Sequence, residues 1–95
     1  MNDLNPVIHE SGRLVLVSSL YVVDEADFVY LANRTEFSSG KISSHMAKLE
    51  AAGYVDIAKG FVGKRPRTTY KLTDTGRHAF EQYRASIEGL LNAAE

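Results

Sequence analysis

The chain has 95 residues, of which 44% are hydrophobic, and this length suits one domain with one modest core. It contains no cysteine, which excludes disulfides, thiol redox sensing and cysteine metal sites, and its formal net charge is −1. No apolar run approaches the roughly 18 residues that a membrane span needs, and the first residues lack the basic and then apolar order of a secretory signal. We therefore expect one domain over residues 1–95, located in the cytoplasm, with no membrane partner.

The first third of the chain predicts two helices. Asn5 and Pro6 are typical of a helix start, and the apolar residues beyond them predict helix one at about residues 5–22. The acidic cluster at 24–27 ends this helix, and a short extended piece is expected there. Residues 28–34 are long enough for two helical turns and predict helix two.

A third helix is predicted at about residues 38–52. Its N-cap is Ser38, whose hydroxyl can accept from a free backbone amide, and its stop is Gly53, which suits a left-handed C-cap. At about 100 degrees per residue, one narrow arc is apolar and consists of Ile42, Met46 and Leu49. The opposite arc is small and polar and consists of Gly40, Ser44, Ala47, Lys48 and Ala51. The helix therefore has one face for a core and one face for solvent or a ligand.

Two strands joined by a basic turn follow this helix. Residues 54–61 form the first candidate, and residues 67–72 alternate with period two so that their cations point outward. The turn, residues 63–68 (GKRPRT), holds three cations around a proline. A helix, a strand, a basic turn and a second strand in this order are typical of a winged helix, in which the helix enters a DNA groove and the turn, the wing, contacts the flanking backbone. We predict a mostly helical α+β fold with a three-helix core and a two-stranded wing.

A long last helix is predicted after the cap residue Thr73, at about residues 74–93. Its apolar residues recur at three- and four-residue steps and are Ala79, Phe80, Tyr83, Ile87, Leu90, Leu91 and Ala94. The stripe either packs wholly on its own domain or pairs in its distal part with a partner chain, because positions past Tyr83 lie beyond a small core. We favour a dimer for this reason. Gly89 weakens the helix and indicates that tertiary or quaternary contacts, and not helix propensity, hold it.

Charge is unevenly distributed along the chain. Residues 34–71 hold eight basic and three acidic side chains, a net of +5, and the remainder carries −6. Because phosphate neutralisation needs local cations, this block indicates a polyanion bound to one surface. The alternative is solvated surface charge without a partner.

Helix three and the wing supply the candidate DNA-binding residues. A major groove about 12 Å wide admits one helix, which needs small side chains at the centre of the contact and longer cations at its edges. The candidates are Ser39, Gly40, Lys41, Ser43, Ser44 and Lys48 in the helix, with Lys64, Arg65 and Arg67 in the wing. The two arginines suit a narrow minor groove, where guanidinium is less costly to dehydrate than ammonium. The alternatives are a helix that packs on another protein and a charged hairpin that only prevents edge aggregation.

The histidines and carboxylates give no sign of catalysis or metal binding. We interpret His45, at the border of the two helical arcs, as an ordinary boundary residue in preference to a DNA contact or a pH switch. His9 and His78 lack a ligand-like spacing, so we predict no metal site, and no motif predicts a cofactor. Without a Walker-type loop, a Cys/His couple or carboxylates paired in a pocket motif, we do not predict an enzyme.

Two segments resemble a known family. ISSHMAKLEAAGYV and KGFVGKRPRTTYKLTDTGRHAF are similar to the MarR/ArsR-type winged helix-turn-helix transcriptional regulators, whose small stand-alone members follow LSxHLxxLExAGYV and then GRxPxTxxxLTxxGRxAF. The resemblance covers about residues 11–84. It implies that residues 39–44 begin the recognition helix, that Lys48 flanks it and that residues 64–67 form the wing tip.

The same resemblance implies a homodimer joined through the first and last helices, about residues 5–22 and 74–93. The sequence thus predicts a homodimeric regulator that binds specific double-stranded DNA, with helix three in the major groove and the wing, about residues 60–68, on the minor groove or backbone. The alternative is a winged helix that serves as a protein interaction module in a larger assembly. The sequence leaves open whether the protein has a small-molecule effector, because the chain has neither an appended sensor domain nor the cysteine pair of metal-sensing relatives.

Overall fold

The computed structural model describes residues 4–94, and residues 1–3 and 95 of the predicted domain lie outside this range. In chain order the elements are α1 Ser11–Val23, β1 Glu25–Asp27, α2 Phe28–Thr35, α3 Ser39–Ala51, β2 Val55–Val62, β3 Arg65–Leu72 and α4 Asp74–Ala93. The strands form one antiparallel sheet in the order β1-β3-β2. The predicted α+β architecture, with a hairpin after the third helix and a long last helix, is confirmed. Within residues 4–94, none of the helices combines the length and the apolar character that a bilayer crossing requires.

The first helix begins later than predicted. The side-chain oxygen of Asn5 accepts hydrogen bonds from the amides two and three residues further on, at 2.9 and 3.2 Å, so Asn5 caps a separate turn. Glu10 then adopts an extended backbone, and its carboxylate accepts from the amide of Arg13 at 3.0 Å as the N-cap of α1. This hydrogen bond lowers the pKa of Glu10, although desolvation opposes the shift. The prediction of one continuous helix from residue 5 was therefore wrong, because the extended backbone of Glu10 interrupts it.

The sheet has one strand more than the predicted two-stranded wing. β1 pairs with β3, with Ala26 opposite Tyr70 and Asp27 opposite Thr69. The short extended piece expected after α1 is therefore an edge strand of the sheet. Asp27 ends it and becomes the N-cap of α2, because its carboxylate accepts from the amide of Tyr30 at 2.8 Å.

The core lies between the first three helices, the sheet and the first half of α4. Its largest fully buried side chains are Ile8, Leu16, Val17, Leu20, Leu31, Ile42, Met46, Leu49 and Val55. Burial of each such side chain stabilises the fold by about 1.5–3 kcal/mol. The apolar arc predicted for α3 is confirmed, and its burial fixes the rotation of this helix so that the opposite arc faces solvent.

The start of α4 is bound to the end of α3. Gly53 adopts a left-handed φ of 81°, as its C-cap role predicted. The amide of Thr73 donates to the carbonyl of Tyr54 at 3.0 Å, and its hydroxyl accepts from the amide of Gly76 at 2.9 Å. A Cβ at Gly76 would overlap the backbone carbonyl of Tyr54. The junction therefore requires glycine at this position.

The distal half of α4 extends away from the core. Phe80 and Tyr83 are buried, whereas Leu90 and Leu91 are exposed large apolar residues. The molecule is accordingly elongated, with extents of 55 × 25 × 20 Å. The apolar stripe predicted for this helix is therefore covered only in part by its own chain.

Candidate nucleic-acid interface

The small, polar face of α3 is open to solvent. The hydroxyl of Ser38 accepts from the amide of Lys41 at 3.2 Å, which confirms the predicted N-cap. All six candidate residues of the helix are exposed, namely Ser39, Gly40, Lys41, Ser43, Ser44 and Lys48. A Cβ built at Gly40 would meet no atom within 4 Å. This face therefore allows another backbone to approach α3 closely.

Lys41 is held beside the start of the helix. Its ammonium lies 3.9 Å from the centroid of the Phe37 ring, a cation–π contact worth about 0.5–1 kcal/mol at an exposed site. The positive end of the helix dipole lies at the same end of α3. Lys41 and the dipole together favour an anionic group, such as a phosphate, near this end.

A cleft of about 600 Å³ lies between α3 and the β2–β3 hairpin. Ser43 and Ala47 line it from the helix, and Lys59 and Thr68 line it as cross-strand partners in the hairpin. Lys59 is a basic residue of this surface that is absent from the predicted site. The sequence contained evidence for this position. Lys59 is four residues after the inward-facing Val55 in the same strand, so the two side chains lie on the same face of the sheet.

The strand register divides the wing between two faces. Pro66 and Thr68 share the cleft face with Lys59, whereas Arg65 and Arg67 lie on the opposite face, because successive side chains of a strand alternate. Lys64 stands in the turn between the strands, after Gly63 with its left-handed φ of 62°. All three predicted wing cations are exposed. A thin hairpin that enters a groove by its end can contact the groove with both faces.

Arg67 has an acidic partner within the molecule. Its Nε lies 3.4 Å from Oδ2 of Asp27, the residue that also caps α2 through its other carboxylate oxygen. Pairing of β1 with β3 brings Asp27 to this position. The contact was not predicted, because the acidic cluster at 24–27 indicates only the end of a helix when it is seen in the sequence alone. A bound phosphate would have to compete with Asp27 for this guanidinium.

His45 contacts α1 and its cap. Its Nε2 lies 3.8 Å from a carboxylate oxygen of Glu10, and its Nδ1 lies 3.3 Å from a guanidinium nitrogen of Arg13. The side chain is only 15% exposed. These contacts agree with the interpretation of His45 as a boundary residue between two helices.

Comparison with known proteins identifies the fold family. A family model described as a winged helix DNA-binding domain matches residues 13–91. The chain belongs to this winged helix family. One relative is an uncharacterized protein from Methanocaldococcus jannaschii. It is 32% identical to this chain over 71 residues, which cover 75% of this chain and 77% of the relative.

Solved structures share the winged helix fold over nearly the whole chain. The transcriptional regulator homologue from Pyrococcus horikoshii OT3 has a TM-score of 0.87 at 24% identity, over 94% of this chain and 88% of that one. A PadR family transcriptional regulator from Eggerthella lenta DSM 2243 has a TM-score of 0.70 at 20% identity, over 92% and 84% of the two chains. The predicted winged helix family is confirmed, whereas a particular likeness to MarR proteins stays a prediction.

We expect Asp27→Asn to strengthen DNA binding by up to about fivefold. An exposed ion pair is worth at most about 1 kcal/mol, and the substitution frees Arg67 while asparagine keeps the N-cap of α2. Fluorescence anisotropy with a labelled duplex measures the change. Asp74→Asn, which removes the same charge at an exposed position outside the wing, is the control. No gain from Asp27→Asn, or an equal gain from Asp74→Asn, would show that Asp27 does not compete for Arg67.

Proposed function

We propose that this winged helix protein is a transcriptional regulator that binds specific sequences of double-stranded DNA as a homodimer. In this proposal α3 enters the major groove, and the wing, about residues 60–68, contacts the minor groove or the backbone. The observation that carries the proposal is the exposure of all nine predicted contact residues on α3 and the wing, two elements that border one cleft. Membership of a DNA-binding family supports it independently.

The residue types on α3 and the wing suit different tasks. Gly40 and the serine hydroxyls let the helix approach base edges, where Ser43 and Ser44 can donate or accept hydrogen bonds. Lysine and arginine side chains meet phosphates, and such contacts fix the position of the protein without reading sequence. We therefore assign sequence preference chiefly to α3 and general affinity chiefly to the wing.

Two uncovered apolar surfaces support the homodimer. Leu90 and Leu91 lie on the part of α4 that extends beyond the core, and Val15 and Val22 lie one heptad apart on α1 with their side chains exposed. The two valines also line an open pocket with a volume of about 470 Å³. Pairing of these surfaces in a second copy would remove them from water. We expect the resulting dimer to bind two half-sites about one helical turn, ~10 base pairs, apart.

We expect Leu91→Glu to convert the dimer into a monomer at micromolar protein concentration, because it places a carboxylate in an apolar interface. Sedimentation equilibrium measures the solution mass. Val29→Glu is the matched control, since Val29 on α2 is 62% exposed, close to the 64% of Leu91, and lies outside the proposed interface. An unchanged dimer with Leu91→Glu, or dissociation with Val29→Glu, would contradict an interface built on α4.

Selection of bound duplexes from a random DNA pool tests the function as a whole. We expect an enriched motif with two related half-sites, and retardation of that duplex in a gel. Failure to enrich any motif, together with no retardation of any duplex, would contradict DNA binding and favour the protein interaction module. Capture of a stoichiometric protein partner in place of DNA would identify that module.

A further inference from the structure

The tip of the wing is apolar as well as basic. Phe61 is 74% exposed at the end of β2, and its neighbour Val62 is also exposed. Phe61 pairs across the hairpin with Pro66, so the ring and the proline lie on the same face of the tip. Within residues 4–94 these side chains form an exposed apolar group that the domain core does not cover.

The surroundings of this tip indicate which partner covers it. Residues 58–69 contain four cations and no acidic side chain. Two of these cations are next to the apolar residues. Lys64 lies in the turn, and Arg65 lies on the face of the hairpin opposite to Phe61 and Pro66. A surface of this kind complements a partner with phosphates around an apolar interior. Duplex DNA has this arrangement in its minor groove, where charged backbones flank the stacked bases.

Position in the fold favours DNA over a protein partner. Phe61 is two residues after Lys59 in β2, so the two side chains lie on the same face of the hairpin, and Lys59 lines the cleft beside α3. The ring therefore continues the hairpin face that borders the exposed face of α3. In the proposed binding mode, α3 occupies the major groove and the end of the hairpin contacts the adjacent minor groove.

We propose that Phe61, supported by Pro66, is an apolar wedge that enters the minor groove and partly unstacks a base step. Apolar side chains inserted in this way kink the duplex, and pyrimidine–purine steps such as TpA deform most easily. Phe61 is then a specificity-determining residue that reads the deformability of the DNA and not its hydrogen-bonding pattern. This inference rests on the proposed DNA-binding function.

Two duplexes test the wedge. Both carry the α3 site selected from the random pool and have equal base composition, but one has TpA steps and the other ApA steps in the flanking minor groove. We expect the wild-type protein to prefer the TpA duplex by about tenfold and to raise the fluorescence of a 2-aminopurine placed at that step. Phe61→Ala should abolish both the preference and the signal, whereas Phe61→Leu, which keeps an apolar wedge, should retain most of each. Because the ring is exposed, neither substitution should alter the circular dichroism spectrum.

Arg65→Ala separates a wedge from a charge contact, since it should weaken binding to both duplexes while the preference for TpA persists. Equal binding of both duplexes by the wild type, or a preference that Phe61→Ala keeps, would overturn the wedge while the DNA-binding function stands. Either result would leave the apolar tip to a protein partner. If the wild type bound neither duplex, the proposed function itself would fail.

Discussion

Replacement of Arg65 and Arg67 together by alanine is expected to weaken binding to every duplex by about 10- to 100-fold near 0.1 M salt. Each phosphate that the protein neutralises contributes about −0.9 to the slope of log affinity against log salt, so the slope should become shallower by about two units. Both guanidinium groups are exposed on one face of the wing. Anisotropy titrations over a series of salt concentrations measure the affinity and the slope together.

The two single variants should differ. Arg65→Ala should have the larger effect, because Arg67 must leave Asp27, 3.4 Å away, before it meets a phosphate. Arg84→Ala removes an exposed cation from α4 and serves as the control, with no expected change in the slope. Unchanged binding by the double variant would exclude the wing from the interface.

Gly76→Ala is expected to destabilise the domain by about 3 kcal/mol, because the added Cβ would overlap the carbonyl of Tyr54 and force α4 away from the end of α3. For a domain of this size that loss lowers the melting temperature by roughly 10–20 °C. Thermal unfolding followed by circular dichroism measures the melting temperature. Each variant is measured at the same protein concentration, because association of the proposed dimer would raise the melting temperature with concentration.

Gly89→Ala is the matched control for this effect. It lies in the same helix, and its added Cβ would meet no atom within 4 Å. Replacement of a helical glycine by alanine at such a site should raise the stability by about 0.5–1 kcal/mol. A Gly76→Ala variant as stable as Gly89→Ala would show that α4 does not approach the Tyr54 carbonyl closely.

Local signals were enough to predict α3 and the solvent face that it presents. Ser38 and Gly53 mark its ends by backbone chemistry, and its apolar residues recur at helical spacing. Both signals lie within a short stretch of chain and do not depend on distant partners. The alternation in residues 67–72 likewise predicted which side chains of β3 face the core, where Tyr70 and Leu72 are buried.

Features that depend on distant contacts were not predictable in this way. Glu10 is not a preferred N-cap residue, so the start of α1 had no clear marker. The three residues of β1 are too few to show a periodic pattern, and their pairing with β3 joins segments more than 40 residues apart. The contact of Asp27 with Arg67 follows from that pairing and was missed with it. The close approach of Gly76 to Tyr54 likewise requires the folded junction.

The sequence indicated candidate residues for the site but not how they are arranged. Every candidate on α3 and the wing is exposed. The division of the wing into two faces follows from the observed register, which adds Lys59 to the cleft. Phe61 lies on the same face of β2 as the buried Val55, so its position in the sequence suggests a core residue. Phe61 is nevertheless exposed, and it lies one residue from the end of β2, next to the turn of the hairpin.

The salt dependence of DNA affinity tests the central claim, that α3 and the wing bind one duplex through its phosphates. Wild-type protein is titrated into the selected duplex, and into an unrelated one, between about 50 and 200 mM salt. A DNA-binding winged helix predicts a linear fall in log affinity against log salt on both duplexes, with tighter binding to the selected one throughout. Affinity that stays flat over this range for every duplex would contradict the claim.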